Sequence, residues 1–75
     1  MPAESSFYAD AAIAYLELDS PAVARTLAET ALLRDRGNMR ALQTKIRACL
    51  KLGDLDCAGS AADAAVNLKG TTDTY

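Results

Sequence analysis

The chain has no histidine, no tryptophan and only two cysteines among its 75 residues. Without an imidazole, the commonest general acid–base group and metal ligand is missing. Two thiols alone cannot complete a tetrahedral zinc site. There is no Gly-rich phosphate loop and no nucleophile beside a base, so the reading is non-catalytic, with no cofactor and no metal. Cys49 and Cys57 are too few for the disulfide framework that staples small secreted chains. No apolar run approaches the length of a membrane span, and Met1-Pro2-Ala3-Glu4 has neither a basic nor an apolar leader region. The expectation is therefore cytoplasmic, with no membrane partner. A net charge of −2 gives no general attraction to nucleic acid.

What the chain does have is alanine, 16 residues of it, and a repeat. At an offset of 34 residues Ala14 matches Ala48, Leu16 matches Leu50 and Leu18 matches Leu52. Ala24, Ala28 and Ala31 match Ala58, Ala62 and Ala65, and Asp19-Ser20 aligns with Gly53-Asp54. A period near 34 is the mark of stacked helix–turn–helix units, which serve mostly as binding surfaces. At this length the chain is one domain near the lower size limit for a single core.

Hydrophobic spacing and punctuation predict four helices. The first runs from about Ser5 to Leu18, with Tyr8, Ala11, Ala12, Tyr15 and Leu18 on its apolar face. Ser20-Pro21 reads as a cap followed by proline at the first helical position. The second helix then carries Val23, Ala24, Leu27, Ala28, Ala31 and Leu32 towards Gly37 as its stop. Asn38 caps the third, which carries Leu42, Ile46, Cys49, Leu50 and Leu52 and ends at Gly53. Asp54 caps the fourth, which buries Leu55, Ala58, Ala61, Ala62, Ala65, Val66 and Leu68. The polar tail Gly70–Tyr75 is expected to be mobile.

These residues together resemble the tetratricopeptide (TPR) family. Ala24, Ala31, Ala58 and Ala65 fall where the family keeps small residues, and Lys51–Ala58 looks like its turn between helices. The departures are Lys45 and Ile46, alanine at 28 and 62 where the family has an aromatic residue, and no closing proline. The resemblance implies an all-α fold. Two antiparallel helix hairpins, residues 5–37 and 38–69, would stack as a short right-handed α-solenoid. It also implies a protein-binding role, as in small bacterial chaperones and assembly factors for secretion and pilus subunits.

By the same resemblance, the first helices of the two repeats line a groove. Its residues would be Ser6, Ala9, Ile13, Leu16 and Glu17, then Arg40, Gln43, Arg47, Leu50 and Lys51. Independently, every charged residue up to Ser20 is acidic, whereas Arg34–Lys51 is basic but for Asp35, and acids dominate again after Asp54. An apolar floor of Ile13, Leu16 and Leu50 beside a basic wall of Arg40, Arg47 and Lys51 would suit an amphipathic, partly acidic peptide. The competing reading is a solvated charged face. The open end of the stack, with Ile46, Leu52, Val66 and Leu68, points to docking or to a homo-oligomer.

Other classes are weaker. The first-helix positions of a Lys/Asn carboxylate clamp hold Ala9 and Ile13. Asp19-Ser20 is similar to the attachment motif of acyl carrier proteins, but Pro21 stands where they have Leu. A basic third helix would suit DNA, but acidic flanks and the packing commitments of Leu42, Ile46 and Leu50 oppose it. A self-assembling scaffold or a piece of a longer array is the alternative within the binding class. Cys57 opens a helix, where a thiolate is favoured, but Asp54 and Asp56 oppose it. Cys49 reads as inert packing.

Overall fold

The computed structural model describes residues 2–69. They form four helices and no strand: α1 Pro2–Glu17, α2 Pro21–Arg34, α3 Met39–Leu52 and α4 Leu55–Lys69. The expected tail Gly70–Tyr75 lies outside the described residues.

The 34-residue period reappears in the backbone of the two hairpin turns. Asp19 N–H donates to Leu16 C=O and Ser20 N–H to Tyr15 C=O, at 3.0 and 2.9 Å. Their counterparts are Gly53 to Leu50 and Asp54 to Cys49, at 3.1 and 2.9 Å. Asp19 and Gly53 are both left-handed, with φ 64 and 77°. Each turn thus closes its helix with two bonds from residues just past the end back into the last turn, the usual way to satisfy free carbonyls there.

The caps are only partly symmetric. Asn38 Oδ1 accepts from Ala41 N–H at 3.1 Å, and Asp54 Oδ1 accepts from Cys57 N–H at 3.0 Å. The Ser20 side chain, expected to cap α2, makes no such bond. Pro21 already fixes the entry to α2 and removes one N–H that would otherwise need a partner. Nor does Gly37 close α2: the helix ends at Arg34, and Asp35 Oδ1 accepts from Gly37 N–H at 3.1 Å in the turn that follows.

The core is a seam of alanines. One cluster joins Ala9 of α1, Ala31 of α2 and Ala41 of α3, with Tyr8 and Leu32 packed beside it. A second joins Leu16, Ala24 and Ala48, again one residue from each helix. Thus α3 lies against both members of the α1–α2 pair, whereas α4 packs on α3 alone. Side chains this short let helix backbones approach closely and lose no rotamer entropy on burial.

A polar relay pins the top of the seam. Ser5 is wholly buried; its Oγ donates to Ala31 C=O at 2.9 Å and accepts from Asn38 Nδ2 at 2.7 Å. One hydroxyl therefore ties α1, α2 and α3 together, and its polar atom is satisfied on both sides.

Several expected core positions are corrected. Tyr15, Leu18, Val23, Leu55 and Val66 are exposed. Their places are taken by Ser5, Ala9, Ala41, Thr44 and Ala48. Closely approaching helices meet along their smallest side chains, which leaves larger neighbours at the rim. Leu68 lies outside the residues whose side chains are described.

The cysteines are also corrected. Cys49 and Cys57 are joined as a disulfide, with Cα atoms 5.8 Å apart, inside the normal span for such a bond. The Gly53 turn folds the last turn of α3 back beside the first turn of α4, so eight residues of sequence become one contact. Cys49 is thus not simply inert packing, and Cys57 is not a free thiol at a helix start.

Candidate functional site

Eight of the ten groove residues read from the sequence line two hollows on the α1–α3 face; Ser6 and Ala9 line neither. Leu16, Glu17, Arg47, Leu50 and Lys51 line an open hollow of about 490 Å³. Beside it Ile13, Arg40, Gln43, Thr44 and Arg47 line a smaller one of about 130 Å³. Arg47 borders both. Leu16 forms the floor because it is largely buried against Ala24 and Ala48, while Leu50 stands on the exposed side. Ala9 is not on this face; it is wholly buried in the seam beneath.

The electrostatics of the wall differ from the expectation. Arg40 Nη2 lies 2.7 Å from Asp10 Oδ1, and Lys51 Nζ lies 3.8 Å from Asp19 Oδ1. Lys45 pairs with Glu29 at 3.5 Å, Arg34 with Glu4 at 3.3 Å and Arg25 with Asp54 at 3.6 Å. Each pair joins two different segments of the chain. The segmental charge pattern is therefore used within the fold: acids of the first helix and turn meet bases of the third. Arg25 and Lys45 are half-buried and the other cations exposed, so the pairs are individually weak, but they occupy the groups that a basic wall would need. Among the described residues, Arg47 is the wall cation without an ion-pair partner.

The open end is split. Ile46 and Val66 line a hollow of about 340 Å³ together with Met39, Gln43, Ala62 and Ala65. Leu52 stands exposed but does not border it.

Sequence reasoning missed a depression of about 610 Å³ between α2 and α4. Leu32, Leu33, Leu42, Ala61 and Ala64 form its apolar part, with Glu29, Arg36, Lys45 and Ser60 also lining it. It exists because α3 stands between α2 and α4, whose backbones do not approach each other closely. The available signal was Leu33, which falls off the Ala24–Ala28–Ala31 stripe and is 84% exposed.

Among the described residues there is no group of three or more His, Cys, Asp or Glu side chains able to hold a metal ion, and no helix long and apolar enough to cross a membrane. The geometry offers open, mostly apolar hollows bordered by charged side chains, several of them ion-paired within the chain. Compared with protein-family models, curated proteins and solved structures, the chain matches none.

Proposed function

We propose that the chain is a non-catalytic protein-binding module of two TPR-like hairpins stacked in right-handed order, with a partner segment lying across the α1–α3 face. The observation that carries this reading is the hollow over Leu16 and Leu50, bordered by Arg47. It suits one apolar side chain of a partner with a carboxylate about one helical turn away. Support for the stacked order comes from the matching turns at Asp19 and Gly53 and from α3 seated on both helices of the first pair. A chaperone or assembly-factor role remains the family-level expectation.

The test is affinity purification from a cell extract with the wild-type chain and with Arg47→Glu and Leu50→Asp, each checked for helicity by circular dichroism. A protein captured by the wild type and lost from both folded variants supports the groove. An unchanged set of captured proteins refutes it.

The compartment now has two opposed indications. Composition favours the cytoplasm, whereas a bonded cysteine pair is typical of oxidising surroundings. Alkylation of the chain in intact cells decides: modification of both thiols places it in a reducing compartment, and protection of both places it in an oxidising one.

A further inference from the structure

Resting on the stacked-hairpin reading, the geometry points to head-to-tail assembly of this chain, with α1 of a second copy seated on the α3–α4 end. The end surface is the 34-residue counterpart of the surface that α3 covers. On the first hairpin, α3 sits on Ala9, Ala31 and Leu32 and bonds to Ser5 through Asn38. The counterparts of Ser5, Ala9, Ala31 and Leu32 are Met39, Gln43, Ala65 and Val66, and all four line the 340 Å³ hollow. The surface that is closed in the first hairpin is thus open in the second, where Val66 is 69% exposed.

The opposite end carries the matching face. The α3 residues that enter the seam, Ala41 and Ala48, have Phe7 and Ala14 as their counterparts on α1. Phe7 is 76% exposed, an unusual state for the chain's only phenylalanine. Where Ala41 fits flush against alanines, the hollow at the far end has room for a ring.

Charge favours the same occupant. α1 carries Glu4, Asp10 and Glu17 and no base, whereas α3 carries Arg40, Lys45, Arg47 and Lys51 and no acid. Within one copy α1 and α3 already lie side by side, with Asp10 on Arg40. Glu4, Asp10, Arg40, Lys45 and Lys51 are already paired within each copy, so the charges left to act between copies are Glu17 of α1 and Arg47 of α3, which have no ion-pair partner among the described residues. The two faces differ and sit at opposite ends, so the contact is heterologous and propagates rather than closing as a two-fold dimer.

The experiment is sedimentation velocity on the 75-residue chain over a range of concentration and salt, with Phe7→Asp and Val66→Asp, both at exposed positions and both checked for native helicity. The wild type should grow in mass with concentration, less so in high salt. Each variant alone should self-associate more than about tenfold more weakly. An equal mixture of the two variants has one intact pair of faces, so it should give a 1:1 dimer and nothing larger. A wild type that stays monomeric at millimolar concentration overturns the proposal. So does a dimer that survives Phe7→Asp, or a mixture that stays monomeric. These variants are not those that test the groove, so either reading can fail while the other stands.

Discussion

Reduction of the Cys49–Cys57 bond should loosen α4 before the rest of the molecule. The bond closes a loop of eight residues in sequence. The chain-entropy relation gives about 2.5 kcal/mol of destabilisation of the unfolded state for a loop of this size. A domain of 60–100 residues shifts its melting point by about 4–8 °C per kcal/mol, so reduction should lower Tm by about 10–20 °C. The loss should be uneven. α4 packs on α3 alone, and among its described side chains only Ala58 and Ala61 are buried. The assay is thermal melting by circular dichroism with and without a dithiol, which opens the bond by exchange and leaves two thiols. Hydrogen exchange should show α4 amides losing protection first. Cys57→Ser, at a half-buried position, should reproduce the reduced protein. A shift under about 2 °C, or α4 protection unchanged on reduction, would refute the reasoning.

Other perturbations test the turns and the seam. Gly53→Ala should cost about 1 kcal/mol in denaturant titration, because φ is 77° and nothing lies within 4 Å of the added carbon, which leaves backbone conformation as the only cost. Asp19→Gly should instead stabilise by a few tenths of a kcal/mol up to about 1, less a small loss of the Lys51 pair, seen as a raised urea midpoint. Asn38→Ala should cost about 1–2 kcal/mol by removing the α3 cap and one of the two partners of Ser5. Ala31→Leu should cost about 1–3 kcal/mol, with α1 and α3 forced apart around a position that has no spare space.

The four helices are legible in the sequence because period and punctuation agree. Asn38, Gly53 and Asp54 are each a residue type with one good reason to stand where it does. The alanine helices are harder to orient. For the first helix the expected apolar stripe is Tyr8, Ala11, Ala12, Tyr15 and Leu18, yet Tyr15 and Leu18 are exposed and packing follows Ser5, Ala9, Ala12 and Leu16 with Tyr8 beside them. Alanine suits either face of a helix, so only a neighbour's shape decides which alanines go inside. The buried role of Ser5 is not legible for a related reason: its two bonds go to residues 26 and 33 positions away, which no local pattern reports. Of the expected groove set, Ser6 and Ala9 line neither hollow of the α1–α3 face, and whether the other eight bind anything is a question of function for experiment. The charges on that face were read one helix at a time, so the pairs Arg40–Asp10 and Lys51–Asp19 were invisible.

That α4 touches only α3, and each helix mainly its neighbour, bears on how fast the chain folds. Apart from the contact of α1 with α3, no packing joins helices that are not adjacent in sequence. Little chain has to be closed before a contact forms, so folding belongs in the microsecond-to-millisecond range of low-contact-order helical domains. The two turns with their left-handed residues shorten each search further. Order should spread from the α1–α2–α3 seam outward, with α4 joining last and, once the cysteines are bonded, never diffusing far from its place.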